Sequence, residues 1–482
     1  MPNQQLPKHS AIEIRMADIK PPYRPTEAVI EANRCLFCYD APCIMACPTG
    51  IDIPTFIKRI ANGNPTGAAK TILAANILGA SCARVCPTEV LCEGACVVLD
   101  REGDPVKIGR LQRHATDSVA GRAASLLPKP LPSTGKRIAV VGAGPAGLGC
   151  ATELARLGHK VVVFERAEQA GGLNTYGIAY YKMKPVISLE EVELVRSLGV
   201  EIRCSVEVGN DFSAAQLESE FDAIFLGVGL GDGAKLRIPG ENLAGVRDAL
   251  DFIREIHTKP LHEVAVGSNV AVIGCGNTAI DAATQARRLS AGRVVVIYRR
   301  SESDMSAYGF EYKLAQADGA QFMFNTMPVE VVSEGGRVTG LKLVRTRNSP
   351  GGRAEPLPGT EFTMPFDLVL KAVGQEKQGP LVTRLFPGLA IDGRGVVQRD
   401  PLTGATNLPK IFAGGDCGNG GREVVNAVGE GKKAARGIHA MLSGETVAGP
   451  VQPSRLGAND GAQGSGLRAP IRSHELEAQL LE

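Results

Sequence analysis

Apolar and polar positions follow two different rhythms along this chain. Over the first 134 residues the apolar positions recur every three or four residues, the helical period. Thr26 precedes Glu27, Ala28, Val29, Ile30 and Ala32, which predicts a helix capped by Thr26. Asp52 precedes Pro54 and an apolar face of Phe56, Ile57 and Ile60, which predicts a second. Gly67 to Asn76 predicts a third. The stretch LLPKPLPSTGK at 126–136 then marks a boundary. From Arg137 the rhythm changes to a β-branched strand, a glycine cluster, a helix and a strand at Lys160–Glu165, a βαβ unit. The same unit begins again at Asn269–Gly274 and runs to a strand at Arg293–Tyr298. Two copies imply one module inserted in the other. The chain is expected to return to the first module after Phe366 and to end in a helix from about Arg422 to Leu442. Residues 447–482 read as a flexible tail, with SHELEAQLLE as one short amphipathic helix.

Composition narrows the class. The 482 residues are 44% hydrophobic and 22% charged, ordinary values for globular domains, and the length suggests about three of them. A net charge of +2 gives no electrostatic reason for a nucleic-acid or membrane partner. No run of 18 apolar residues occurs, and MPNQQLPKHS lacks the charged head and apolar stretch of a secretory signal. The expected location is cytoplasmic. There are 57 glycines, which points to many close backbone approaches. Of 12 cysteines, eight fall in the first hundred residues, and in a reducing compartment clustered thiols read as metal ligands.

The cysteine spacing favours iron–sulfur chemistry. Cys35, Cys38, Cys43 and Cys47 form C-x2-C-x4-C-x3-C-P, and Cys82, Cys86, Cys92 and Cys96 form C-x3-C-P-x4-C-x3-C. Short spacings let soft thiolates converge on an inorganic cluster, and the prolines turn the chain away from it. Zinc is the alternative, but it favours paired C-x2-C units or Cys/His mixtures, and only one such pair is present.

The two βαβ units carry dinucleotide fingerprints. VVGAGPAGLGCA places Gly142, Gly144, Pro145, Ala146 and Gly147 between strand and helix. These allow a tight turn, approach of a pyrophosphate and close helix packing, and Glu165 stands where an acid bonds a ribose. Gly172 and Leu173 form a second glycine turn, and Asp416 in IFAGGDCGNGG follows a strand, suited to a flavin ribityl and phosphate region. VAVIGCGNTAID supplies Gly274, Gly276, Asn277 and Thr278, with Tyr298 or Arg299 at the acid's place in the second copy, where Arg299 and Arg300 could attract a 2′-phosphate. Two such sites imply a relay from nicotinamide to flavin, and from there singly to clusters. The fold class expected is an α-helical N-terminal Fe–S domain followed by two α/β Rossmann-like nucleotide-binding domains, one inserted in the other. The boundaries expected are 1–134 for the cluster domain, 135–245 and 375–446 for FAD, and 246–374 for NAD(P).

The ordered set of double cysteine block, V-V-G-A-G-P-A-G-L, G-G-L, G-x-G-N-T-A-I-D and A-G-G-D resembles the N-terminal half of dihydropyrimidine dehydrogenase. It looks closest to the separate bacterial electron-input subunit of that enzyme, and is also similar to the glutamate synthase small subunit. The five residues between Cys86 and Cys92 and the segment I-G-R-L-Q match the pyrimidine enzymes. The resemblance implies two 4Fe-4S clusters, one on Cys35, Cys38, Cys43 and Cys96 and one on Cys47, Cys86, Cys92 and Gln112. Cys82 is then spare, whereas thiol counting alone makes it the eighth ligand. It further implies FAD and NAD(H). Ser306 stands where the animal enzymes hold a further arginine, which favours NADH over NADP(H). A 250-residue barrel has no room here, and no pyrimidine acid is assigned, so no catalytic residue is expected. The implied activity is electron input to an FMN-containing catalytic subunit, in a heterotetramer of two of each chain, that reversibly reduces uracil or thymine. The alternative is a glutamate synthase-like NADPH oxidoreductase.

Overall fold

The computed structural model describes residues 8–349 and 352–445. The segment 447–482 and its expected helix lie outside the described residues. The chain divides into two compact units. One comprises Lys20–Thr175, Val186–Leu230 and the chain from Lys377; the other comprises the chain to Ile19, Tyr176–Pro185 and Gly231–Glu376.

The first unit opens with a helical head. Its first helix is Pro25–Ala32, two residues ahead of a Thr26 cap. Proline at N1 sets the helical φ, and Glu27 reaches back to the Arg24 N–H at 2.9 Å. Asp52 does cap Ile53–Ala61, its Oδ1 accepting from Thr55 N at 3.1 Å. The third helix is Pro65–Ala75, capped by Asn64. Phe56, Ile57, Ile60, Ile72 and Leu111 of these helices and of Ile108–Asp117 form the head's core.

A five-stranded parallel sheet follows, in the order Ile411–Ala413, Ala223–Leu226, Arg137–Val141, Lys160–Phe164, Glu201–Arg203. The helix Pro145–Arg156 lies on one face and is crossed by Val424–Ser443. Glycines permit that crossing: a side-chain carbon on Gly431 would stand 2.1 Å from the Ala146 carbonyl oxygen. Ile77 and Leu78 of the head are buried in the same core as Ile138, Val140, Leu148 and Ile438. Head and first module therefore share apolar packing.

The second unit holds another parallel sheet, in the order Val246–Asp248, Leu368–Lys371, Asn269–Ile273, Arg293–Ile297, Gln321–Met323. Leu368–Lys371 thus stays in the inserted module, and the return to the first comes at Lys377, beside the expected boundary at 374/375 and not immediately after Phe366. An antiparallel hairpin of Thr326–Glu334 and Arg337–Asn348, flanked by Ala354–Pro356 and Phe362–Pro365, is added to this unit. Two segments assigned elsewhere from sequence also join it. Met16 enters its core, and Tyr181 donates to Asp281 Oδ1 at 2.9 Å. Beside it Lys182 pairs with Asp281 at 2.7 Å and Glu311 at 2.6 Å. Among the described residues no helix is long and apolar enough to cross a membrane.

Candidate functional site

The eight head cysteines fall into two neighbourhoods. Cys35, Cys38, Cys43 and Cys96 line one shallow apolar cavity with Ile53, Ile57 and Val106. Cys43 lies in the short helix Pro42–Met45, and Cys96 is the residue from which Val97–Glu102 starts. Burial pushes the Cys35 thiol up to about 11, and Cys43 and Cys38 also upward. The second neighbourhood joins Cys47, Cys86, Cys92 and Cys82. Cys86 is driven up first by a hydrogen bond with Cys82 and then by burial. Cys92 is driven up by burial and by the adjoining Glu93 carboxylate, with Cys47 and Cys43 facing it. Apolar burial disfavours a bare thiolate, so such thiols become anionic ligands only when metal charge compensates them. No group of three His, Cys, Asp or Glu side chains among the described residues closes on a single metal ion. The donor set fits iron–sulfur clusters, being soft, thiol-rich and seated in apolar walls.

Gln112 lies on Ile108–Asp117 and is buried. Its Nε2 donates to the Gly79 carbonyl at 2.7 Å, which anchors the amide against the start of Gly79–Val85, the helix that leads into Cys86. Cys82, buried on that same helix, accepts from Asn76 Nδ2 at 3.2 Å. Both candidates for the eighth ligand therefore stand beside Cys86's helix. Glu191, which sequence reasoning missed, fixes this helix from the first nucleotide module. Its carboxylate accepts from Ala80 N at 2.7 Å, Ser81 N at 3.0 Å and Ser81 Oγ. Burial raises Glu191 to about 7.

In the first nucleotide module, Gly142 has φ +100°, and a Cβ there would stand 2.4 Å from the Gly227 carbonyl oxygen. A Cβ on Gly147 would meet the Gly142 oxygen at 1.9 Å. Gly144 caps the helix that Pro145 begins, leaving free N–H groups at its positive end. Gly172 packs on this loop, its Cβ position 2.8 Å from Gly144 Cα, and Leu173 beside it is exposed. Glu165 is buried at the end of the second strand and accepts from Ala143 N at 2.8 Å and Ala167 N at 2.9 Å. Each oxygen keeps a second lone pair for a ribose. Asp416 opens the helix Asp416–Asn419, next to Gly415, whose Cβ position is 2.7 Å from Ala146 Cβ. Burial pushes the Asp416 carboxyl upward. The loop is pinned by Glu430, which accepts from Gly415 N at 2.7 Å and pairs with Arg399 at 2.8 Å. Neither residue carries a motif that sequence reading could use. The small-residue cradle and helix terminus fit a dinucleotide such as FAD.

In the second module Gly274, at φ +121°, approaches the Ala372 carbonyl, and Gly276 caps Asn277–Arg288. Asn277 Oδ1 accepts from Tyr308 N at 3.1 Å, and the half-buried Thr278 follows in the first turn. Ser306 Oγ lies 3.3 Å from where a Cβ on Gly276 would stand, so this serine faces the fingerprint loop. Arg299 is exposed and Arg300 half-buried. Asp304, held by Ser301 and by Asn348 Nδ2 at 2.8 Å, faces Arg300 electrostatically.

Comparison with known proteins agrees with this geometry. Residues 12–123 match the family described as dihydropyrimidine dehydrogenase domain II, 4Fe-4S cluster, and residues 136–431 match the pyridine nucleotide-disulphide oxidoreductases. The glutamate synthase [NADPH] small chain of Halomonas elongata is 38% identical over 442 residues, 88% of this chain and 93% of that one. The NAD-dependent dihydropyrimidine dehydrogenase subunit PreT of Salmonella typhimurium is 34% identical over 427 residues, 88% and 97% of the two. The fold is similar to that of Mycobacterium tuberculosis FprA in complex with NADPH, with a TM-score of 0.53, 20% identity and coverage of 72% of this chain and 90% of that one. With a cluster-bearing head joined to a nucleotide-binding body, the chain belongs to the pyridine nucleotide-disulphide oxidoreductase family as an NAD(P)H-dependent, flavin- and iron–sulfur-containing member.

Proposed function

We propose that this chain is the electron-input subunit of a dihydropyrimidine dehydrogenase, drawing on NAD(P)H to supply a separate FMN-bearing partner that reduces uracil or thymine. When bound, FAD takes an electron pair from the nicotinamide and the clusters carry single electrons onward. Cys35, Cys38, Cys43 and Cys96 would hold one 4Fe-4S cluster, and Cys47, Cys86, Cys92 and Gln112 the other. Residues 135–245 and 375–446 would form the FAD domain, with Gly142, Gly144 and Gly147 admitting the pyrophosphate and Glu165 the ribose. Asp416 would orient the flavin's phosphate and ribityl region. Residues 246–374 would take the nicotinamide dinucleotide, Asn277 and Thr278 lying at the helix terminus beneath it. The complex would be a cytoplasmic heterotetramer.

The observation that carries this reading is Gln112, whose amide nitrogen is committed to Gly79 at 2.7 Å beside the Cys86 helix. An amide in that place suits an oxygen-ligated cluster of the pyrimidine enzymes. The test is anaerobic pull-down followed by reconstitution. The purified chain should reduce dyes with NADH but leave uracil untouched, and adding the FMN partner should give dihydrouracil. Pyrimidine turnover by the chain alone refutes the division of labour.

The 38% identity to a glutamate synthase small chain supports a second reading, in which the partner is a large amidotransferase subunit. Recovery of that subunit in the pull-down would select it.

A further inference from the structure

The helix Val424–Ser443 touches the cluster head with zero clearance at Gly429. A side-chain carbon on Gly429 would stand 2.6 Å from the carbonyl oxygen of Pro48, the residue after Cys47. Lys432 is three residues further along, on the same face of the helix. Its Nζ donates to the Thr49 carbonyl at 3.2 Å and the Ala75 carbonyl at 2.5 Å. Among the described residues no carboxylate forms an ion pair with it. Glu153, whose charge acts on it, is bound to Arg436 at 3.2 Å, while Arg156 and Arg436 add positive charge. Burial lowers Lys432 to about 8, and Cys47 is among the groups whose electrostatic influence acts on it in the opposite sense. Lys432 is thus a largely uncompensated ammonium, held by two carbonyls, whose field falls on a cluster ligand.

We propose that Lys432 is a positioning residue that raises the reduction potential of the cluster held by Cys47, Cys86 and Cys92. Adding one electron makes a cluster more negative, and a fixed cation in a low-dielectric wall stabilises that form over the oxidised one. The charge, not only the tether to Thr49, is what matters. The inference rests on the cluster assignment proposed above.

The test is an EPR-monitored redox titration of the intact, anaerobically purified chain. Lys432→Met removes charge and tether, Lys432→Gln keeps an amide donor for the carbonyls without charge, and Lys432→Arg keeps the charge. With full iron content, Met and Gln should lower the midpoint of one cluster signal by a tenfold change in the reduced-to-oxidised ratio, 59 mV for one electron, and leave the other in place. Arg should titrate like the parent. If Met lowers the midpoint while Gln does not, the role is the tether and the inference fails. If neither variant moves a midpoint, it fails as well, with the cluster assignment intact. A parent protein with no cluster signal overturns the assignment itself, and the inference with it. Should Met lose iron, Gln against Arg still decides between charge and tether.

Discussion

The carbonyl oxygen of Pro48 lies 2.6 Å from the point where a side-chain carbon would stand on Gly429. The residue after Cys47 and the helix that crosses the first dinucleotide helix therefore meet without room for a side chain on Gly429. Gly429→Val must push the two apart. The expected outcome is a loss of about 2 kcal/mol or more in stability and slower passage of electrons from reduced flavin to the clusters. Urea unfolding and stopped-flow spectroscopy read these two effects.

His159 and His439 share a hydrogen bond of 2.8 Å, and Thr134 Oγ1 lies 2.7 Å from the other His159 nitrogen. Burial and the neighbouring His439 lower His159 to about 4 from an ordinary value near 6.5. The folded state thus binds fewer protons than the unfolded state between those values. Stability is present above about pH 6.5 and is lost as pH falls towards 4, by of order 2 kcal/mol. Melting temperatures from pH 7 to 4.5 should fall more steeply for the parent than for His159→Gln.

Lys182 sits between Asp281 at 2.7 Å and Glu311 at 2.6 Å, all three largely buried. Lys182→Met leaves two carboxylates facing each other without their cation. The expected cost is about 3–5 kcal/mol, read as a lower denaturation midpoint. The double change with Asp281→Asn should recover part of it.

Asp304 is held by Asn348 at 2.8 Å and feels the charge of Arg300, one of the two arginines proposed to meet a 2′-phosphate. Its charge opposes that phosphate, so kcat/KM should favour NADH over NADPH. Asp304→Asn should narrow the difference, and a parent that strongly prefers NADPH overturns the expectation.

Cys82→Ser and Gln112→Ala separate the two candidates for the eighth ligand. With Gln112 as ligand, Cys82→Ser should keep the iron content and both EPR signals, while Gln112→Ala should alter one signal. Loss of one cluster's iron in Cys82→Ser reverses the assignment.

The glycine fingerprints were legible because each forbids a side chain for a steric reason that spacing exposes. Gly142 and Gly274 each abut a carbonyl from a neighbouring strand's end, and that need is visible as G-x-G after a β-branched run. The Asp52 cap was legible for the same local reason. The membership of Tyr181 and Met16 in the inserted unit was not, because it depends on partners about a hundred residues or more away. A return immediately after Phe366 would have cut off Leu368–Lys371, a short apolar run that could belong to either sheet, whereas the boundary at 374/375 keeps it in the inserted module. Nothing in the sequence marks Glu191, Glu430 or Lys432. Only packing turns them into a helix anchor, a loop pin and a buried charge.

Arg156 donates to the carbonyls of Leu73 and Ala74, while Lys432 takes that of Ala75, so the end of one head helix is closed by cations from the neighbouring module. A protease that nicks the exposed proline-rich stretch near 130 would therefore cut a covalent thread without releasing a fragment. The two pieces should elute together from a sizing column and part only in denaturant, so the iron-bearing end cannot be harvested by simple digestion.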